Sequence, residues 1–159
     1  MASQENKEEN KESFENIGDA IFEIGSFNKF WSLLYARLYK DLIKVYPFMK
    51  DICVKNFQSF KSLFETINYC DASENYDKFC EYNKENEKRR ALSSFFVICA
   101  DLDIISKSEM TKIIVGFIDR VKKDINVEGK LNNVEEMVQN ISIMINAGKN
   151  FLTDLDKFE

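Results

Sequence analysis

From Phe14 onward, apolar residues recur at intervals of three and four, the spacing of a helix with one packed face. Phe14, Ile17, Ile21 and Phe22 form the first such face, and Gly25 marks its expected stop. Ahead of it, residues 1–12 hold no apolar residue beyond Met1 and Ala2 and predict a flexible polar tail. A second helix is expected from about Asn28, with Trp31, Tyr35, Leu38 and Leu42 in step. Tyr46-Pro47 breaks the pattern, because the residue before proline avoids helical geometry while proline suits a first helical turn. The third stripe is Met49, Ile52, Cys53, Phe57, Phe60, Leu63, Phe64 and Ile67, which predicts a helix from Pro47 to about Tyr69.

Residues 70–75, CDASEN, form a turn with several candidate N-caps. The fourth pattern begins weakly at Tyr76, crosses the charged stretch Asn83–Arg90 and turns continuously apolar over Leu92–Leu102. One helix or two would fit it equally. Ser106 and Glu109 have capping-box spacing ahead of Met110, Ile113, Ile114, Phe117, Ile118 and Val121. After the loop NVEGKLN at 126–132, Asn133 and Glu136 repeat that spacing before Val134, Met137, Val138, Ile141, Met144 and Ile145. Gly148 suits a left-handed C-cap, with Phe151, Leu152 and Leu155 as a last apolar turn. Six or seven helices joined by short loops predict an all-α fold of antiparallel pairs, closed as a bundle or stacked as a solenoid.

Composition narrows this further. The 159 residues suit one domain with a substantial core, and a single proline with five glycines disfavours a turn-rich β fold. The net charge of −5 excludes a generally cationic nucleic-acid coat, though not a local basic face. No apolar run approaches the ~20 residues of a bilayer span, and the polar start is unlike a signal peptide, so no membrane association is expected. Cys53, Cys70, Cys80 and Cys99 lack CxxC spacing, which predicts reduced structural thiols in a cytoplasmic protein. The chain has no histidine, removing His-based nucleophile pairs, His–metal sites and the usual neutral-pH proton shuttle. Its glycines never cluster into a phosphate loop. A non-enzyme without metal or cofactor is the expectation.

Two groups of residues remain as candidates. Phe27, Phe30, Trp31 and Tyr35 crowd the start of the second helix, and each is more often core than contact. Yet adjacent Phe30 and Trp31 point about 100° apart, so one packed layer cannot bury both. At least one is expected at an edge, where aromatics anchor protein interfaces. Lys88, Arg89 and Arg90 are the one run of three basic residues, among Glu81, Glu85 and Glu87, and a solvated salt-bridged face is the bland reading. Lys122 and Lys123 fall where cations complement a helix end, while Lys112, Arg120 and Lys123 could line one edge and meet RNA phosphates. Asp101 and Asp103 are expected to shape a helix terminus; Cys99, Met137 and Met144 fit a core.

The order of segments carries a resemblance. Trp31-Ser32-Leu33-Leu34-Tyr35-Ala36-Arg37-Leu38, preceded by Ile21-Phe22, resembles the W/F-S-x-x-Y-A-x-L signature in the middle domain of eukaryotic translation initiation factor 4G. Glu87-Lys88-Arg89-Arg90-Ala91-Leu92 is similar to that family's basic segment, which opens a helix ending in a leucine-rich turn, here Leu102-Asp103-Ile104-Ile105-Ser106. Val134-Glu135-Glu136 through Ile145-Asn146-Ala147-Gly148-Lys149-Asn150-Phe151 resembles its E-x-x-x-x-L-L-x-x-x-G-x-x-F helix. The family's R-F-I-G-E-L-Y run stands here as Phe96-Val97-Ile98-Cys99-Ala100-Asp101-Leu102, without its arginine and glycine.

The resemblance implies a HEAT-like crescent of antiparallel helix pairs, with residues 13–159 as one scaffold. It implies a scaffold that holds the DEAD-box helicase initiation factor 4A in a productive two-lobe arrangement and contacts RNA weakly during cap-dependent translation. Trp31 would meet the helicase, with Phe30, Tyr35 and Phe27 beside it and Arg89 and Arg90 in the basic segment. Lys112, Arg120 and Lys123 would serve RNA, and the far end near Asn146–Phe151 would face the other helicase lobe. Nothing here resembles the motif for the cap-binding subunit, so that partner would need other segments. The chain lacks a leading helix and a final pair of that domain. Together with 18 Lys to 4 Arg and 15 Asn, this suits a reduced viral or protist version. The rivals are a related adaptor in mRNA decay or splicing, and a viral helical antagonist that sequesters a host peptide.

Overall fold

A computed structural model describes the backbone of residues 2–28 and 30–152 and the side chains of residues 12–28 and 30–152. Its elements are α1 (Ala2–Ser26), α2 (Ser32–Val45), α3 (Phe48–Phe60) with a 3₁₀ turn at Lys61–Phe64, and α4 (Tyr76–Asp101). They continue with α5 (Lys107–Asp124), α6 (Leu131–Ala147) and the single turn α7 (Lys149–Leu152). No strand occurs among the described residues. The all-α arrangement of helix pairs is as expected. The backbone of α1 continues back through the segment read as a tail, and Leu155 lies outside the described residues.

The pairs pack in chain order. α1 lies against α2 and α3, α2 crosses to α4, and α4 in turn carries α5 and α6. The middle of this order is α4, and its sequence shows why. Its second half buries Phe95, Phe96, Val97, Ile98, Cys99 and Ala100, apolar all round because neighbours cover it on several sides. Its first half is polar and mostly exposed. One continuous helix joins the two, capped where the Asn75 side chain accepts from the Lys78 N–H at 3.0 Å.

Aromatic rings join the pairs into one core. Phe22 of α1 meets Phe95 at 5.6 Å between centroids, Phe57 and Phe60 of α3 meet Phe96 at 5.3 and 5.1 Å, and Phe64 meets Phe117 of α5 at 4.4 Å. Such tilted pairs add ~0.5–1.5 kcal/mol each beyond their buried area.

Three expectations need correcting. α3 stops at Phe60, not near Tyr69, because the segment after it exchanges helical bonds for side-chain donors described below. Ser106 caps as expected, accepting from the Glu109 N–H at 3.2 Å. Asn133 lies inside α6 and donates to the Ile67 carbonyl at 3.2 Å, and Glu136 is buried, so neither caps that helix. Gly148 has φ −96, not the left-handed geometry; a Cβ there would stand 2.8 Å from both Val97 Cγ1 and Leu152 Cδ1. Close approach of α6 to α4, and not dihedral freedom, requires the glycine. Left-handed geometry is found instead at Gly129 (φ 78) and at Asp103 (φ 60), just past the end of α4. There the Ile104 and Asp103 N–H groups bond the Cys99 and Ala100 carbonyls at 2.9 and 3.0 Å, a Schellman stop.

Candidate functional site

The five residues between α1 and α2 turn a corner that cannot bury its aromatic residues. Gly25 packs on the Cβ of Tyr35, bringing the two helices close, and leaves Tyr35 half-buried as the corner's wall. Trp31 stands at the N-cap of α2. An indole has only a donor, so it cannot accept from the free N–H groups there, and it makes no cap bond. Its side chain is 59% exposed, Phe30 is 83% exposed and Phe27 38%. Both adjacent aromatics are thus at the surface.

The basic run of α4 meets this corner through one residue. Lys88 places Nζ 5.0 Å from the centroid of the Phe27 ring, a cation–π contact. Glu87 and Ala91 join Ile24, Phe27, Asn28 and Phe30 around a shallow recess of about 460 Å³. On the other side of Phe27 a recess of about 440 Å³ opens between α1, α3 and α4, floored by Phe22, Phe60 and Phe96 and rimmed by Asp19, Glu23, Lys55 and Lys88.

The next two residues of the run point elsewhere, because each step along a helix rotates the side chain by about 100°. Arg89 is buried. It donates from Nε to the Leu63 carbonyl at 2.6 Å and from Nη2 to Thr66 at 3.1 Å, with Asn86 and Glu85 filling its remaining reach. Arg90 forms a two-point pair with Glu136 of α6, Nη2–Oε2 at 2.5 Å and Nε–Oε1 at 3.2 Å. Behind it Glu136 accepts from Asn140 Nδ2 at 2.7 Å, and Asn140 accepts from Ser93 Oγ at 2.8 Å. Arg89 is buried and Arg90 partly exposed, and both are held by contacts within the fold.

Arg120 is held in the same way. It donates to the Phe64 and Glu65 carbonyls and lies 3.7 Å from Asp124. Arg89, Arg120 and Asn133, from three different helices, thereby take up the carbonyls of residues 63–67, which regular helix bonding leaves unpaired. Lys112 and Lys123 are exposed on α5 and share a face, but Asp119 lies between them on it, so the stripe is mixed in charge.

Burial raises the Tyr39 hydroxyl far above its ordinary range, and the hydroxyl donates to the Met49 carbonyl at 2.7 Å. Burial likewise pushes the Cys99 thiol up, with Cys53 beside it. Among the described residues no group of three His, Cys, Asp or Glu could hold a metal, and no helix is long and apolar enough to cross a membrane. Ile24 was not among the residues the sequence singled out. Lys88 lay within a noticed run, but its partner Phe27 is 61 positions away and only the packing of α4 on α1 joins them. No family model, no curated protein and no solved structure matches this chain.

Proposed function

We propose that this chain is a non-catalytic scaffold of the kind it resembles, the middle domain of initiation factor 4G, and that its aromatic corner docks the DEAD-box helicase initiation factor 4A. The placement of Trp31 carries the reading. It makes no cap bond and is 59% exposed, and tryptophan is among the residue types most enriched at the energetic centres of interfaces. Phe27, held against Lys88, gives it an ordered neighbour.

Mechanically the scaffold acts by differential affinity, favouring the helicase arrangement whose two lobes are spaced to touch it. The contact set is Trp31, Phe30 and Phe27 with Lys88, while Tyr35 braces the corner; Arg89, Arg90 and Arg120 drop out of it. Lys112 and Lys123 supply weak contact to RNA. The role belongs to cap-dependent translation in the cytoplasm, in a reduced viral or protist version of the domain.

The test is RNA-dependent ATPase of factor 4A titrated with the chain and with Trp31→Ser. Serine is a better cap, so the variant is expected to keep its helical content and unfolding midpoint while losing stimulation. A variant that stimulates like the native chain removes the corner from the contact. A native chain that neither stimulates nor binds the helicase overturns the reading in favour of a decay or splicing adaptor or a viral antagonist.

A further inference from the structure

α2 buries Ser32, Ala36 and Tyr39 on one side, yet its outer side is also apolar. Trp31, Leu34, Leu38 and Val45 are 59, 59, 49 and 66% exposed, with Leu42 half-buried among them. At 100° per residue these five fall within an arc of about 80°, a straight ridge along the helix. With ~150–250 Å² for a whole aromatic side chain and ~60–120 Å² for an aliphatic one, the exposed part of the five amounts to roughly 200–400 Å². That is comparable to the largest apolar patch of a typical monomer, and two such faces together make a small interface of the weak, transient kind.

The ridge is self-complementary. Its spacing of three, four, four and three is symmetric about Leu38. We propose that α2 pairs antiparallel with α2 of a second copy of this chain, across a two-fold axis at Leu38. Each position then faces the one equally far on the other side of Leu38. Trp31 meets Val45 of the second copy, Leu34 meets Leu42, and Leu38 meets itself, so the large ring opposes the smallest side chain. The flank agrees. Arg37 and Asp41 are exposed on the same side of the ridge, where a two-fold of this kind brings like flanks together. Asp41 lies opposite position 35 of the second copy, two residues or about 3 Å along the axis from its Arg37. Symmetry makes this ion pair twice.

The inference does not depend on the helicase reading. A helicase lobe over Trp31 and a second copy compete for one face, so the two complexes exclude each other. The small area predicts a reversible dimer with a dissociation constant on the order of 10 µM.

The experiment is sedimentation of the full chain alone, from about 1 to 200 µM, a span that brackets that constant. The native chain is expected to shift from monomer to dimer across it. Leu38→Asp, at a half-exposed position, stays monomeric with unchanged helical content. Arg37→Asp turns two attractions into repulsions and weakens the dimer about tenfold; adding Asp41→Arg restores it to within about threefold. A native chain monomeric throughout, Leu38→Asp dimerising normally, or a double exchange that fails to restore pairing would each overturn the proposal.

Discussion

Removing the cation at Arg90 is expected to be among the most damaging single changes on the polar side of α4. Its guanidinium is 24% exposed, whereas the Glu136 carboxylate it holds is 4% exposed. Arg90→Met keeps the length of the side chain but leaves that carboxylate with Asn140 Nδ2 as its remaining side-chain donor. An uncompensated buried charge costs ~3–5 kcal/mol, which for a chain this size lowers the melting temperature by roughly 6–20 °C. Glu136→Met strands the cation instead, and Arg90, already partly exposed, can turn to water, so a loss of ~1–2 kcal/mol is expected. The double variant replaces both charges with apolar groups and should recover most of the stability. Urea unfolding followed by circular dichroism on all four proteins gives the cycle, with a coupling of ~2–4 kcal/mol predicted. The reasoning is refuted if Arg90→Met costs no more than Glu136→Met, or if the double variant loses the sum of the two. A loss within ~0.5 kcal/mol for Arg90→Met would return that residue to the surface role its sequence context implies.

Two further perturbations test the packing. Gly148→Ala should destabilise despite alanine's higher helix propensity, since its methyl meets Val97 and Leu152 at 2.8 Å, while Gly116→Ala in α5, with nothing within 4 Å, should stabilise by ~0.5–1 kcal/mol. Paired urea midpoints decide it, and equal signs would refute the close approach of α6 to α4. Burial of Tyr39 raises its hydroxyl pKa in the fold, so above the unfolded value of ~10 the folded chain binds the extra proton and stability falls as pH rises. Tyr39→Phe should cost ~1 kcal/mol at pH 8 through the orphaned Met49 carbonyl, yet flatten the decline between about pH 9.5 and 11. An unchanged alkaline slope would show that another group governs it.

Several elements were readable from the chain because their causes are local. Period and breakers placed the helices, Ser106 and its spacing to Glu109 located a cap, and the Tyr46-Pro47 pair placed the break before α3. Helix rotation predicted at least one of Phe30 and Trp31 at an edge; both are exposed, and both stand ahead of α2 and not within it. Where distant residues compete, the same signals misled. Asn133 and Glu136 have cap spacing but are taken by Ile67 and Arg90, partners 66 and 46 positions away.

The basic run makes the division plain. Composition and spacing determined that the chain is helical, that it lacks histidine chemistry and that it carries more aromatic residues at one turn than a core layer can hold. They also placed three cations in sequence. Only tertiary structure decided that Lys88 lies over Phe27, that Arg89 pairs with the carbonyls of residues 63 and 66, and that Arg90 neutralises Glu136. A helix turns each successive side chain toward a different neighbour, so what a residue does depends on the element that packs there. That is fixed by the burial of distant apolar faces and not by the residues on either side.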